Sequence, residues 1–390
     1  MGNGTSVIAG VDEGRLGSRP RRKLVDYLQF GIRSVIGSGA EAHVFAHQVG
    51  AISAVRVFLI AIGLVTSAMT SRVLGPAGRG LFTTAVVLGT IGSQFGNLGL
   101  HSANTYYLGQ DCSRLPRIFS NAICIGLGFG GLIALCCWIL FGLHPSWAPV
   151  QGSVLLGGLL LIPVSLTALL LQNLLLAIRE VKWYNVSEIT NRAGFVLILA
   201  LAWLFLRSSV TASQVVFFSL FAGCLTLVVS GTRLVVITHG LLPPSFGLFR
   251  LQAGYGLRSY LTCFAGYLVL KSDILLVKYF AGATATGLYS LASSMTDFIY
   301  TFPTVVGMIL FPLLSGTGTM DARWQRARKT MAGVAVVMSG IALPAGIFAT
   351  PVVRLVFGAR FLPAVPAFLI LCVAIVFYGA NSLISIFFSS

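Results

Sequence analysis

The chain has 390 residues, of which 56% are hydrophobic and only 9% charged, with a mean hydropathy of +0.90 and a formal net charge of +16. A soluble domain carries roughly 25% charged residues, so this composition excludes a water-covered globular fold, a disordered tail protein and a nucleic-acid-binding domain with a hydrated basic face. It implies an all-α, polytopic transmembrane helical bundle whose excess Lys and Arg marks cytoplasmic loops and leaves room for an anionic ligand.

Residues 1–48 are polar and Gly/Ser-rich, with a basic cluster at Arg19, Arg21, Arg22 and Lys23; they read as a cytoplasmic tail close to anionic headgroups. Beyond them a span needs about 20 mostly apolar residues. Gly, Pro and charged breaks mark out spans near 51–73, 80–103, 117–141, 153–177, 183–206, 212–237, 257–279, 286–314, 331–350 and 363–389. The uncharged stretch 118–178 is divided by His144-Pro145-Ser146-Trp147-Ala148-Pro149, which breaks the helix and sets an interfacial Trp at the turn. With the N-terminus inside, seventeen of the 26 Lys and Arg residues fall on the cytoplasmic side and six outside, while Arg56, Arg192 and Lys271 lie within spans. That bias predicts a multi-pass protein of the cell (inner or plasma) membrane with a cytoplasmic N-terminus.

An internal repeat organises the chain. Gly75-Pro76-Ala77-Gly78-Arg79-Gly80-Leu81-Phe82-Thr83-Thr84-Ala85 matches Gly282-Ala283-Thr284-Ala285-Thr286-Gly287-Leu288-Tyr289-Ser290-Leu291-Ala292 at an offset of 207 residues. Both copies follow odd-numbered spans, so they share one orientation, as in transporters built from parallel repeats. The expected organisation is a tail (1–48), an N-terminal six-helix lobe (49–240), a cytoplasmic linker (241–256) and a C-terminal lobe of four helices (257–390). Four spans against six lead us to expect a second lobe cut short, with a ten-span protein as the alternative.

The repeat residues and their neighbours resemble the polysaccharide (O-antigen-type) flippase family of the multidrug/oligosaccharidyl-lipid/polysaccharide exporter superfamily. The matching pieces include Ser71-Arg72-Val73-Leu74-Gly75-Pro76 and Asn97-Leu98-Gly99-Leu100-His101-Ser102-Ala103-Asn104. Ser272-Asp273-Ile274-Leu275, Gly287-Leu288-Tyr289-Ser290, Phe311-Pro312-Leu313-Leu314-Ser315 and Val356-Phe357-Gly358-Ala359-Arg360-Phe361 follow in family order. The resemblance implies two helical lobes around a central cavity. It also implies movement of an undecaprenyl-diphosphate-linked oligosaccharide to the outer leaflet, with no enzymatic step and no cofactor. Assembly proteins for polysaccharide are the implied partners.

A diphosphate entering the membrane loses hydration and needs cations, and Arg can fork onto its oxygens. Arg56, early in the first span, costs at least about 2.5 kcal/mol in lipid; it faces a cavity, where the resemblance places a flippase arginine, or snorkels to headgroups. Arg72 and Arg79 flank the first outer turn, as phosphate ligands or as solvated loop residues. Lys271 is a further candidate substrate ligand. Asp273 and Asp297 are candidates for H⁺ or Na⁺ coupling, or for structural pairing. Asn97 and Asn104, with Gln94, Gln172 and Asn173, are placed to bond sugar hydroxyls or to join helices. Glu188 and Arg192, four residues apart, read as a mutual pair.

Other patterns are set aside. Gly126-Leu127-Gly128-Phe129-Gly130-Gly131 satisfies a dinucleotide fingerprint but lies inside an apolar span with no preceding strand, so it reads as a packing surface. Glu41, His43 and His47 lack a fourth zinc ligand, and the seven cysteines contain no CxxC. Two rivals share the composition. A drug/cation antiporter of the same superfamily would need acids in its first lobe, where 50–177 holds only Asp111. A membrane glycan polymerase would need a long outer loop carrying catalytic groups, and the outer loops here are short.

Overall fold

The computed structural model describes the backbone of residues 39–206, 210–240, 242–315 and 320–389, and side chains within 58–205, 210–240, 242–257, 260–261, 264–301, 324–325, 328–379 and 381. Two units make up the chain, Met1–Phe58 and Leu59–Ser390, and the packing below lies within the second. The described backbone is 93% helical, and the described residues form no strand. In chain order the helices are α1 (Gly39–Asn97), α2 (Leu100–Gln110), α3 (Leu115–Ile123), α4 (Gly130–Leu143), α5 (Gly152–Ala177), α6 (Val181–Leu206), α7 (Ala212–Thr238), α8 (Phe246–Ser315), α9 (Met320–Ile347), α10 (Ala349–Val352) and α11 (Val365–Ser389). Single π turns at Cys124–Phe129 and Val353–Phe357 join α3 to α4 and follow α10.

Among the described residues eight helices are long and apolar enough to cross a membrane. Two of them, Phe58–Asn97 and Phe264–Thr301, run to 40 and 38 residues, length for about two crossings each. Each is broken at a glycine: Gly75 at φ 65°, ψ −179° and Gly282 at φ 80°, ψ −178°. A positive φ of this kind strains any residue with a Cβ. The same break recurs at equivalent positions of the repeat, dividing α1 and α8 where the sequence places turns between spans. Large apolar side chains face outward all along the bundle, Phe205, Phe280 and Leu355 among them, as a lipid-facing surface requires.

The helix α5 is the most enclosed span, with Leu166, Leu170, Leu174 and Leu175 packed on Ile118 and Phe119 of α3 and Leu234 of α7. Small residues bring its neighbours close. A Cβ on Gly126 would press on the Thr167 backbone, and one on Gly130 on Pro163. Gly126 and Gly130 thus form a packing surface, while Gly128 and Gly131 of the same run have nothing within 4 Å of an added Cβ. The stretch 241–256, expected as a linker, is helical from Phe246: Pro243 and Pro244 precede Ser245, whose Oγ accepts from the Leu248 N–H at 3.4 Å and starts α8 early.

The tightest approach is between the two copies of the repeat. A Cβ on Gly80 would overlap the Ala283 carbonyl, and a Cβ on Gly287 would overlap the Pro76 carbonyl. These contacts are reciprocal, since 76 and 283, like 80 and 287, are equivalent positions. The backbones after the two kinks therefore touch without side chains between them.

Gly80→Ala and Gly287→Ala should each lower stability by about 1–3 kcal/mol through overpacking against backbone. Gly231→Ala, with open space around its Cβ, should be neutral or gain up to about 1 kcal/mol from helix propensity. Thermal unfolding in detergent compares the three variants.

Candidate functional site

Beside the crossing, the first turn of the helix after Gly75 carries Arg79, only 4% exposed. Its guanidinium spans the two copies. On its own side Nη1 donates to the Ser67 carbonyl at 2.6 Å, to Thr70 Oγ1 at 3.4 Å and to Ser71 Oγ, and Nη2 donates to Ser67 Oγ at 3.0 Å. On the far side Nε donates to Ser290 Oγ at 3.1 Å and Nη2 to Ser294 Oγ at 3.3 Å. The two far serines already donate to helix carbonyls, Ser290 to Gly287 at 2.9 Å and Ser294 to Ser290 at 2.7 Å, so their lone pairs are free for the arginine. No carboxylate pairs with Arg79 among the described residues. A buried cation served only by hydroxyls and a carbonyl keeps its charge uncompensated.

A second bond set ties the same end of the bundle. Arg72 Nε donates to the Val356 carbonyl at 2.8 Å and its Nη2 to the Leu355 carbonyl. These are terminal carbonyls of the π turn Val353–Phe357, where a cation is favoured. Gly358, at φ 102°, ends that turn.

Three further membrane charges, Lys271, Asp273 and Asp297, sit together on α8. Lys271 Nζ lies 3.5 Å from Asp297 Oδ2 across the Gly282 break. Asp273 accepts from the Tyr289 hydroxyl at 2.6 Å, again across the break, and from the Ile274 N–H at 2.7 Å. Lys271 and Asp273, two residues apart, each find a partner on the second half of the helix and not on each other.

The predicted asparagines join helices. Asn97 donates from Nδ2 to His101 Nδ1 at 2.8 Å and accepts the His101 N–H at 3.3 Å, closing the α1–α2 break at Leu98 and Gly99. Because an amide nitrogen only donates, His101 carries its proton on Nε2, which faces Ser102 Oγ at 3.1 Å. Asn104 accepts from Gln252 Nε2 at 2.6 Å, and Asn121 bonds both the carbonyl and the N–H of Ser245, at 3.1 and 2.9 Å. These bonds fasten the start of α8 onto α2 and α3. Gln172, Ser187 and Ser230 form a similar chain across α5, α6 and α7. Glu188 and Arg192 pair at 3.0 Å. Asp111 caps the turn Cys112–Arg114; bonds from Ser113, with Arg114 beside it, hold its carboxyl below the ordinary carboxylate value.

The side chain of Arg56 and those of Glu41, His43 and His47 lie outside the described residues. No group of three or more His, Cys, Asp and Glu suited to a metal ion occurs among the described residues. The partners that sequence reasoning missed are hydroxyls: Ser67, Ser71, Ser290, Ser294 and Tyr289. Their only sequence signal is a cluster of Ser and Thr beside the repeat.

A family model described as a polysaccharide biosynthesis protein matches residues 69–366. No curated protein and no solved structure matches the chain.

Replacing both Ser290 and Ser294 by Ala leaves Arg79 without its far-side acceptors. The double variant should lose about 1–3 kcal/mol, read as a lowered Tm in detergent. Arg79→Lys, with three donors on one nitrogen in place of a five-donor fork, should also lower the Tm.

Proposed function

The chain belongs to the polysaccharide biosynthesis protein family, and from that premise we propose that it is a flippase. It translocates an undecaprenyl-diphosphate-linked oligosaccharide to the outer leaflet by alternating access between two lobes, 49–240 and 257–390. The carrying observation is Arg79, a desolvated cation at the crossing of the repeat copies that is held by Ser and Thr hydroxyls and one backbone carbonyl, with no carboxylate beside it among the described residues. A carboxylate partner would hold a guanidinium strongly; serine oxygens hold it weakly enough for a diphosphate to take over.

With the N-terminus cytoplasmic, the crossing lies at the outer end of the bundle. Arg79 and Arg72 are then latches of an outer gate, each bonding the first half of the chain to the second. A substrate diphosphate that draws the two guanidiniums to itself removes those bonds and frees the Gly80–Gly287 contact to part. Arg56 and Lys271 are the further cations assigned to the substrate, and Asn97 and Asn104 hold the α1–α2 and α2–α8 joints. Protonation of Asp297 releases Lys271, and Asp273 with Tyr289 offers a second proton-bearing pair across the same break, a route for H⁺ coupling. Polysaccharide assembly proteins are the partners expected on either side of the plasma membrane.

The antiporter reading lacks its acids, since Asp111 in 50–177 stands at a turn bonded to Arg114. The flippase reading is tested in proteoliposomes holding a fluorescent undecaprenyl-diphosphate oligosaccharide. The purified chain should move it between leaflets, and Arg56→Ala, present at normal level, should slow the movement about tenfold or more, the loss expected of one charge-assisted phosphate bond. Equal rates for Arg56→Ala and the unchanged chain would remove that residue from the path, and no movement above empty vesicles would remove the flippase reading.

A further inference from the structure

At the opposite end of the helices from Arg79 a separate group of residues is left unused by the gate. The first turns of α8 present one stripe, Gly247, Arg250, Leu251 and Gly254, at the i, i+3, i+4, i+7 spacing of a single helix face. With Tyr107 of α2 and Tyr255, the stripe encloses a groove of about 560 Å³, within the range of about 300–1,000 Å³ usual for small-ligand sites. A Cβ on Gly247 or Gly254 would meet nothing within 4 Å, so the floor is open.

The groove has an aromatic wall. Tyr106 and Tyr255 stack with ring centroids 4.4 Å apart and planes 13° apart, and they are 44% and 39% exposed. Tyr107 meets Tyr255 at 6.1 Å, and its hydroxyl donates to the Leu251 carbonyl at 3.3 Å. Arg114 lies over the Tyr107 ring at 6.0 Å. Arg250 is exposed and makes no ion pair among the described residues.

The frame around it is fixed. A Cβ on Gly99 would overlap the Gly256 carbonyl, so α2 and α8 meet backbone to backbone just below the groove. The Asn104–Gln252 bond, with Gln252 only 1% exposed, locks the same two segments, and the Asn121–Ser245 pair ties the start of α8 to α3. An exposed cation beside stacked tyrosine faces, over a glycine floor, suits one ligand chemistry. Aromatic faces pack against the apolar CH face of a pyranose ring, and a guanidinium forks onto phosphate. An aromatic belt at the membrane surface explains tyrosines alone; it does not call for an open glycine stripe with an unpaired arginine between.

We propose that this groove docks the glycosyl-phosphate head of the membrane-borne substrate on the cytoplasmic face, before the head enters the bundle. The substrate's class and the face rest on the flippase reading; the groove and its chemistry do not.

The test uses the full chain in phosphatidylcholine nanodiscs, with saturation-transfer NMR and α-D-glucose 1-phosphate, glucose and inorganic phosphate as probes. Glucose 1-phosphate should receive transfer at its ring protons and bind more tightly than either fragment. Arg250→Ala should weaken it about tenfold or more, the loss of one charge-assisted bond, and Arg250→Lys should recover part. Gly254→Trp should fill the groove and abolish binding, while Tyr255→Ala should remove transfer to the ring protons. All these positions are exposed, and circular dichroism with thermal unfolding confirms that the variants fold. A polyprenyl glucosyl phosphate placed in the disc should displace the soluble probe. Binding unchanged in both Arg250→Ala and Gly254→Trp overturns the proposal, as does inorganic phosphate binding as tightly as glucose 1-phosphate, or failure of the lipid-linked sugar to displace it. Groove variants that lose nothing in a chain that still translocates leave the flippase reading standing. Headgroup binding in a chain that translocates nothing does the reverse.

Discussion

Two backbones meet at Gly80 and Gly287 without a side chain between them, and much of the surrounding structure follows from that contact. Each glycine faces a carbonyl from the other copy of the repeat, Gly80 that of Ala283 and Gly287 that of Pro76. Lipid tails are as apolar as Leu, so helices in a membrane associate through close packing and polar bonds more than through hydrophobic burial. A glycine crossing supplies the packing. It also brings α1 and α8 near enough for Arg79 to bond serines on both, and it squeezes water away from that guanidinium. The kinks at Gly75 and Gly282 set the approach, because only a break at a fixed point aims the following helices at each other.

The polar groups divide by place. Where helices must stay together, the bonds are between neutral groups or buried amides: Asn104 with Gln252, Gln172 with Ser187 and Ser230. Charges also join helices, Arg233 of α7 reaching Glu180 at 2.7 Å, but those at the crossing and at the Gly282 break rest on hydroxyls, carbonyls or a long ion pair. Lys271 and Asp297 bridge the Gly282 break at 3.5 Å, and Arg72 rests on terminal carbonyls. Charges held in this way are the ones a phosphate or a proton can recruit at low cost, which joins the packing to the transport reading.

Much of this was legible in the sequence. The spans announce themselves by apolar length, and the repeat at an offset of 207 located both kinks, because a glycine needed for positive φ recurs only where the same break recurs. The Glu188–Arg192 pair followed from helical spacing. Partners separated by long stretches of chain did not. Nothing in the residues around Arg79 says that Ser290 and Ser294 lie opposite, since serine in an apolar helix is ordinary, and Asp273 finds Tyr289 only through the fold. The early start of α8 was hidden for another reason: 241–256 carries Pro243, Pro244 and three glycines and reads as loop, yet Ser245 caps a helix whose Gln252 is turned to Asn104. The groove at the start of α8 was invisible because its parts, Tyr106, Tyr107, Arg250 and Tyr255, come from segments that read as loop and linker.

The account makes the crossing a gate that parts for substrate. Ala77 and Thr284 are exposed, occupy equivalent positions of the repeat and flank the contact, so spin labels there report its separation without touching the glycines. Pulsed electron–electron resonance in liposomes should give a single short distance in lipid alone. Added undecaprenyl-diphosphate oligosaccharide should raise a second, longer population. One unchanging short distance in a protein shown to translocate that substrate would contradict the gate.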